Sequence, residues 1–426
     1  MITILCAGSR GDFQPYIALA QQLKKYKKEV RISGPKEFES FVTNYDIDYF
    51  PINVDISALN IDPKMLEEAG SADNPLKMLL AFNKMKAYGE YTTKEYYKAC
   101  QNSELIIYHP GLTVGYFAAK ELGIPAVLAS PFPMHKTKEY LSVVMYGKSK
   151  PTMINNKLSY LMIQGMLWMA GKDAVKSFWK MQFGRLPKDF GAPYEYHNQA
   201  NQPALISCSN HIFERPSDWN SHIHQKGYWF AEEKDDFRPE EALVDFIRAG
   251  EKPIYIGFGS MAMMKNHAEL GALVVNAIRK SGKRAIICGF GRPDNLTDDI
   301  YALDSIPHTW LFNHVSAVCH HGGAGTSAAG FSAGIPSIIV PFSNDQFAWA
   351  HRSYDLGIGV KPINVKHLTV DNLANAFIEA SQPDLIAKAK AIGVKIRTEN
   401  GAEDCAKVVI DLLEKSSSEN LNGQNL

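Results

Sequence analysis

The chain has 426 residues, of which 46% are apolar and 11% aromatic, enough for a substantial core in each of two or three domains. Lys plus Arg and Asp plus Glu both number 45, so no overall charge draws the chain to polyanions, and nucleic acid is not an expected partner. The six cysteines form no C-x-x-C pair, which argues against a zinc site or a disulfide framework and indicates a reducing, cytoplasmic compartment; they are Cys6, Cys100, Cys208, Cys288, Cys319 and Cys405.

The first predicted strand begins directly after Met1 and leaves no room for a signal peptide. No later stretch approaches 18 uninterrupted apolar residues, the length that a membrane span needs. We therefore expect neither export nor a transmembrane segment.

Short apolar runs alternate with amphipathic segments along the first half of the chain. Strands are predicted at ITILCA (2–7), VRIS (30–33), LIIY (105–108), AVLAS (126–130) and ALISC (204–208), and a helix from about Gln14. This alternation is typical of a parallel sheet with crossover helices. The pattern restarts with strands at 253–260, 284–291, 316–323 and 336–342 and a helix near 267–281. The sequence therefore predicts an α/β protein with two doubly wound parallel sheets.

A charged stretch at residues 229–241 separates the two halves and is typical of an interdomain linker. We expect one domain at 1–235 and a second at 236–415. Residues 416–426, mostly Ser, Asn, Gln, Glu and Gly, are expected to form a disordered tail.

The segment from Met134 to Phe183 is rich in methionine and aromatic residues. One interpretation is the wall of a pocket for a bulky apolar substrate, since methionine adapts to irregular apolar shapes. Under this interpretation the candidate contacts are Met134, His135, Met145 and Trp168. An ordinary buried core face is an equally weighted alternative. A third interpretation is an amphipathic helix on a membrane surface, suggested by Lys150, Lys157, Lys172, Lys176 and Lys180.

The first half also contains a glycine loop, GSRGD at residues 8–12, directly after the first strand, where open parallel sheets bind their ligands. Asp12 can cap a helix that begins at Phe13, or it can act as a general base. In the second half, the loop at residues 257–261 offers N–H groups and the Ser260 hydroxyl to a phosphate.

The strongest motif is HHGGAGT, from His320 to Thr326, between a predicted strand and a helix predicted from Thr326 to Ala333. A glycine loop at a helix N-terminus gathers unpaired N–H groups at the positive end of the helix dipole, where phosphates bind. Thr326 can serve as the N-cap or bind a phosphate oxygen, because Ala329 completes no capping box. The alternatives are a tight turn without a ligand and, since GAGTSA fits G-x-G-x-x-A, a dinucleotide site.

Asp345 and Gln346 stand directly after the strand predicted at 336–342. A carboxylate beside an amide suits the hydroxyl groups of a sugar, although the same pair also serves in turns. The sequence has no H-E-x-x-H, G-x-S-x-G or G-K-[ST] motif, which removes the commonest metalloprotease, hydrolase and P-loop interpretations.

Together these elements resemble the inverting, nucleotide-sugar-dependent glycosyltransferases, most closely the branch of sterol 3-beta-glucosyltransferases and antibiotic glycosyltransferases. The resemblance is carried by GSRGDFQPYIALA (8–20), RPSDWNSHIHQKGYWF (215–230), IYIGFGSM (254–261), PHTWLF (307–312) and HHGGAGTSAAGFSAGIPSIIVPFSNDQ (320–346). It covers the second half almost continuously and the first half mainly at its first loop.

This resemblance implies a GT-B architecture, with two Rossmann-like domains facing each other across a cleft and the nucleotide sugar on the C-terminal one. Asp12 matches the family's candidate base, and Asp345 and Gln346 would bind the transferred sugar. The stretch from Ile306 to Trp310 would border the nucleobase, with a packing role as the alternative for Trp310. The remaining donor-binding positions, at the diphosphate, are Ser260, His321, Gly322, Gly323, Gly325 and Thr326. Ala329 stands where plant relatives place a ribose-binding Glu, so the ribose ligand stays unassigned.

The implied reaction transfers glucose from UDP-glucose to a hydroxyl of a bulky apolar acceptor such as a sterol, triterpenoid, flavonoid or macrolide, giving a β-glycoside. Because the glycine loop and His321 can meet the charge that develops on the leaving diphosphate, neither a metal nor a cofactor beyond the UDP-sugar co-substrate is expected. A GT-B-like nucleotide-sugar epimerase and a noncatalytic lipid-binding protein are the alternatives, and a peripheral membrane contact stays open.

Overall fold

The computed structural model describes residues 1–54, 86–194, 202–233, 237–259, 267–291 and 296–423. Its internal contacts divide the chain into two compact units. The N-terminal unit comprises Met1–Ser142, Pro151–Glu233 and Asn400–Leu426, and the C-terminal unit comprises Val143–Lys150 and Lys234–Glu399. The second stretch of the N-terminal unit ends at Glu233, and the sequence predicted the end of the first domain at residue 235.

A parallel sheet with crossover helices forms the described part of the N-terminal unit. Its elements in chain order are β1 (Ile2–Leu5), α1 (Arg10–Lys25), β2 (Val30–Pro35), α2 (Glu39–Thr43), β3 (Asp48–Ile52), α3 (Lys86–Ala99), β4 (Leu105–Tyr108), α4 (Val114–Leu122), β5 (Ala126–Ser130), α5 (Met153–Phe183), β6 (Ala204–Ser207) and β7 (Ile223–Gly227). These seven strands pair in the order β3-β2-β1-β4-β5-β6-β7. The strand order reverses between β1 and β4, and open α/β sheets bind ligands outside the carboxyl ends of such a strand pair.

A second parallel sheet forms the described core of the C-terminal unit, with its five strands in the order β10-β9-β8-β11-β12. The elements are α6 (Glu241–Arg248), β8 (Ile254–Gly257), α7 (His267–Ser281), β9 (Ala285–Cys288), β10 (Ile300–Leu303), α8 (His308–Leu311), β11 (Ala317–His320), α9 (Ala324–Ala333), β12 (Ser337–Ile339), α10 (Gln346–Asp355), α11 (Val370–Glu379) and α12 (Pro383–Ile396). The prediction of two parallel α/β domains is confirmed by these two sheets.

The last helix, α13 (Gly401–Gly423), returns to the N-terminal unit and packs on α1 and β7. Six small or apolar residues at spacings of three and four form its buried face: Ala402, Cys405, Ala406, Val409, Leu412 and Leu413. Residues 400–415, predicted for the second domain, thus have their contacts in the N-terminal unit. Residues 416–423, predicted to lie in a disordered tail, continue this helix.

Candidate functional site

Three loops of the C-terminal unit leave the carboxyl ends of adjacent strands. β8, β11 and β12 are neighbours that run in parallel, so the loops that follow them share one edge of the sheet. Gly322, in the β11 loop, lies against the start of α10. A Cβ on residue 322 would come 3.0 Å from the main-chain oxygen of Gln346 and 3.2 Å from its Cβ. The predicted diphosphate loop and the predicted sugar-binding pair are therefore in direct contact.

His321 occupies the space between two of these loops. A Cβ on Gly323 would lie 2.6 Å from Nε2 of the imidazole, and one on Gly259 would lie 3.4 Å from Cε1. Burial lowers the pKa of His321 to about 4, so the ring is neutral at pH 7 and offers one N–H. Within the part of the chain that the structure describes, Nδ1 of His321 is buried without a hydrogen-bond partner. A buried, unsatisfied imidazole nitrogen is a group that a ligand would complete.

The neighbouring His320 shapes the loop. It is fully buried, and its Nδ1 accepts a hydrogen bond from the backbone N–H of Gly322 at 3.1 Å. Gly322 has a φ of +94°, a left-handed conformation that favours glycine. The tight turn is therefore held by His320, while His321 is the histidine that lies against the two glycine loops.

The helix after this loop begins at Ala324, two residues earlier than predicted. Gly323 is its N-cap and supplies no side-chain cap, so Thr326 is the third helical residue and the N-cap interpretation of Thr326 is wrong. The first-turn N–H groups, including those of Gly325 and Thr326, have no acceptor within the helix. This uncapped helix N-terminus, directly after His321, has the properties of an anion site.

The third loop is fixed by the Gln346 side chain. Its Oε1 accepts hydrogen bonds from the backbone N–H groups of Phe342 (2.8 Å) and Ser343 (3.0 Å), so the amide nitrogen is the part that remains to donate to a ligand. The Asp345 carboxylate accepts a hydrogen bond from Nε1 of the buried Trp349 at 3.0 Å through its Oδ2. Both side chains have a structural partner, as the turn interpretation expects.

A segment from the first half of the sequence, Val143–Lys150, packs on α10 within the C-terminal unit. The Lys148 ammonium lies 4.7 Å from the centre of the Phe347 ring, and the Tyr146 hydroxyl donates to Asp355 at 2.9 Å. Partial desolvation lowers the pKa of Lys148, and the nearby Asp345 charge opposes that shift. Sequence reasoning missed Lys148 at this site because about two hundred residues separate it from Asp345.

The N-terminal unit places Asp12 at the carboxyl end of β1. α1 begins at Arg10 with Ser9 as N-cap, so Asp12 is the third helical residue and the prediction that it caps a helix starting at Phe13 is wrong. Its Oδ2 accepts hydrogen bonds from the backbone N–H of Ser9 (2.6 Å) and from the Ser9 hydroxyl (2.9 Å). The carboxylate is thus held in one orientation through Oδ2.

His109 is a second functional candidate in this unit. It follows β4, the strand next to β1, and its Nδ1 accepts a hydrogen bond from the backbone N–H of Gly111 at 3.1 Å. The neutral ring therefore carries its proton on Nε2. Burial lowers the pKa of His109 and the Asp12 charge raises it, so the two groups are electrostatic neighbours. A histidine directly after LIIY was the sequence signal that could have identified it.

Two of the candidate acceptor contacts, Met134 and Trp168, belong to one apolar core cluster of the N-terminal unit. Met134 is fully buried, and His135 is buried against the Trp219 indole, with burial lowering the pKa of His135 to about 4. Trp168 packs on Phe117 and Phe190, as the core interpretation expects. Met145 belongs to the C-terminal unit, whereas the other three belong to the N-terminal unit.

Three other candidate features have separate outcomes. Ser260 lies outside the described residues. Trp310, expected near a nucleobase or in a packing role, contacts the rings of Phe237 and His314. Among the described residues, no three His, Cys, Asp or Glu side chains converge in a way that could hold a metal ion.

Two family models match the two halves of the chain. The glycosyltransferase family 28 N-terminal domain matches residues 2–140, and the erythromycin biosynthesis protein CIII-like C-terminal domain matches residues 268–415. The sterol 3-beta-glucosyltransferases of Pichia angusta and Emericella nidulans are each 32% identical to this chain over 98% of its length. The matched parts are 34% and 30% of those proteins, so the chain spans about a third of the length of these curated relatives.

Solved structures share the fold. The glycotransferase of kitacinnamycin matches with a TM-score of 0.70 and 16% identity, over 97% of this chain and 98% of that one. Glycosyltransferase VinC in complex with DTDP matches with a TM-score of 0.65 and 18% identity, over 97% and 99%. Streptomyces sp. SF2575 glycosyltransferase SsfS6, complexed with thymidine diphosphate, matches with a TM-score of 0.64 and 16% identity, over 96% and 99%. At these identities the similarity concerns the fold.

Proposed function

We propose that this chain is a GT-B glycosyltransferase, that it transfers glucose from UDP-glucose to a hydroxyl of a bulky apolar acceptor, and that this acceptor is a sterol. The names of the curated relatives support both glucose and the sterol. Triterpenoids, flavonoids and macrolides are the other acceptors to be tested. Since all six cysteines are free thiols, the proposed place of reaction is the reducing cytoplasm.

The observation that carries the proposal is the contact between Gly322 and Gln346. It joins an uncapped helix N-terminus, suited to a diphosphate, to a carboxylate and an amide, suited to sugar hydroxyls. A nucleoside diphosphate sugar needs these two kinds of site side by side. An apolar-ligand protein without catalysis would need neither.

The donor side of the reaction stabilises the leaving diphosphate. The neutral His321 offers one N–H, and the first turn of α9 offers backbone N–H groups at the positive end of the helix dipole. These donors are fixed before the reaction, so they can meet the developing charge without a metal ion or a cofactor. Lys148 adds a cation beside Asp345, where it can orient that carboxylate toward the sugar.

The acceptor side of the reaction removes a proton. An alcohol has a pKa far above neutrality, so deprotonation must accompany the attack on the anomeric carbon. With Oδ2 of Asp12 held by Ser9, Oδ1 is the oxygen proposed to take this proton. His109 is proposed to act through Asp12 as a positioning residue. Attack opposite the leaving UDP would invert the anomeric carbon and give a β-glucoside.

The test is incubation with UDP-glucose and a panel of sterols, triterpenoids, flavonoids and macrolides, with EDTA present in one arm. Mass spectrometry is expected to find a sterol glucoside in both arms, and proton NMR is expected to find a β-linkage. An arm without acceptor separates transfer from epimerisation. Conversion of UDP-glucose to another UDP-sugar in that arm, with no glucoside from any acceptor, would overturn the proposal.

A further inference from the structure

The long helix α5 (Met153–Phe183) has a buried face and an outer face. The buried face includes Tyr160, Ile163, Val175, Phe178 and Trp179 and contributes to the core with α3 and α4. The first half of the outer face carries five large apolar side chains that are between 38% and 70% exposed: Ile154, Leu158, Leu161, Met162 and Met169. At about 100° per residue, these five positions fall within an arc of about 100°.

Lysines continue the same stripe. Lys172, Lys176 and Lys180 follow at spacings of four and fall within the same arc of the helix. None of the three forms an ion pair with any residue that the structure describes. Asp173 is the only acidic residue of α5. The outer face of α5, defined as these five apolar residues and three lysines, is thus half apolar and half cationic along its length of about 40 Å.

We propose that the outer face of α5 docks on an anionic phospholipid bilayer. The apolar half would enter the interfacial region of the lipid, and the lysine half would lie over the headgroups. Exposed apolar side chains that cluster on one side of a helix mark an interaction surface. Unpaired lysines in line with them specify an anionic partner, since each basic residue near a charged membrane strengthens its binding. An amphipathic helix of this kind lies along a membrane surface.

The proposal does not depend on the proposed sugar transfer, because lipid binding is measured without donor or acceptor. No helix in the described ranges is long and apolar enough to cross a membrane, so contact through one helix face is the form of attachment that α5 offers. If the acceptor is a sterol, this face brings the protein to the phase in which the acceptor is dissolved.

The experiment measures flotation of the full chain with vesicles of phosphatidylcholine alone and of phosphatidylcholine mixed with phosphatidylserine. Two paired variants probe the two halves of the face: Leu158→Ser with Leu161→Ser, and Lys172→Gln with Lys176→Gln. The matched control is Ile386→Ser with Val394→Ser on α12. The side chains of Ile386 and Val394 are 39% and 50% exposed. Melting temperatures verify that every variant folds.

The wild type and the control are expected to bind the anionic vesicles, with weaker binding at high salt and to phosphatidylcholine alone. Each α5 pair is expected to weaken partitioning about tenfold or more. Equal binding of wild type and both α5 pairs, or no binding of the wild type, would overturn the proposal. Two further outcomes would overturn it. If the wild type is a dimer and only the α5 pairs are monomeric, the face binds a second copy of the chain. If the α5 pairs still bind vesicles but no longer transfer sugar to a water-soluble acceptor, the face serves the reaction and not the membrane.

Discussion

Gly322 and Gln346 pack so closely that a Cβ on residue 322 would come within 3.0 Å of the Gln346 carbonyl oxygen. The same Cβ would also come 2.8 Å from Cγ2 of Ile339 in β12, so Gly322→Ala must displace the β11 loop from both β12 and α10. We expect UDP-glucose binding and turnover to fall together, since a displacement of about 1 Å at a reacting site costs about 10²-fold in rate. Calorimetry and initial rates measure the two effects.

Gly282→Ala is the matched control for this variant. Gly282 also has a left-handed φ, +64°, but no atom lies within 4 Å of a Cβ built there. It carries the conformational cost of alanine without the collision. Normal donor binding by Gly322→Ala would contradict the proposed contact between the diphosphate loop and the sugar loop.

A second prediction concerns the proton balance of donor binding. The pKa of free His321 is about 4, and a bound diphosphate raises it because the anion stabilises the imidazolium. UDP-glucose should therefore bind more tightly as the pH falls from 7 toward 5, with proton uptake measurable by calorimetry in buffers of different ionisation enthalpy. His321→Asn should remove this pH dependence and lower turnover about 10²-fold. The exposed His367→Asn serves as control, and unchanged turnover in His321→Asn would refute the role.

A third prediction concerns stability. Burial lowers the pKa of His135 to about 4. The folded state therefore binds this proton at a lower pH than the unfolded state, whose histidine has a pKa of about 6.5. The stability that the neutral His135 ring contributes is fully present above pH 6.5 and is lost as the pH falls toward 4. Between pH 7 and 5.5 this residue alone should lower the free energy of unfolding by about 1 kcal/mol. Urea unfolding of His135→Gln should show a shallower pH dependence than the wild type, and equal slopes would exclude the buried neutral ring.

The fourth prediction separates the two roles of Asp345. Asp345→Ala is expected to depress glucose transfer far more than it weakens binding of UDP alone, because the nucleotide does not use this carboxylate. The variant also removes the acceptor of the Trp349 indole N–H, which donates to Asp345 at 3.0 Å. Trp349→Phe keeps a buried ring but has no N–H to donate, so the hydrogen bond to Asp345 is already absent in this variant. If Asp345→Ala has no further effect in this background, Asp345 is structural.

The strands that could be predicted from the sequence differ from the missed ones in their place in the sheet and in their burial. β1, β4, β5 and β6 are buried at every residue, so each appears in the sequence as a short, largely apolar run without charged residues. The three missed strands are at sheet edges: β3, β7 and β10. In β3 and β7, polar or charged side chains interrupt the apolar run and remove the signal. β10 is the apolar run IYAL, but it has only four residues and lies between acidic residues.

The candidate site divides in a similar way. The loop from His321 to Thr326 could be predicted because a local motif encodes both the turn and the helix start. The helix starts themselves were predicted three residues late for α1 and two residues late for α9, since Ser9 and Gly323 are the caps and not Asp12 and Thr326. Lys148 could not be found locally, because chain folding alone brings it near Asp345. His109 had a local signal, since it stands directly after the predicted strand LIIY.

The single-turnover rate of Asp12→Asn tests the central claim most directly. The asparagine Oδ1 can still accept the hydrogen bonds from Ser9, so fold and donor affinity should match the wild type. With no carboxylate to take the acceptor proton, glucose transfer to the sterol should slow by about 10² to 10⁴. Melting temperature and UDP-glucose affinity are measured on the same preparation. A variant that transfers glucose at the wild-type rate would contradict the assignment of Asp12 as the base.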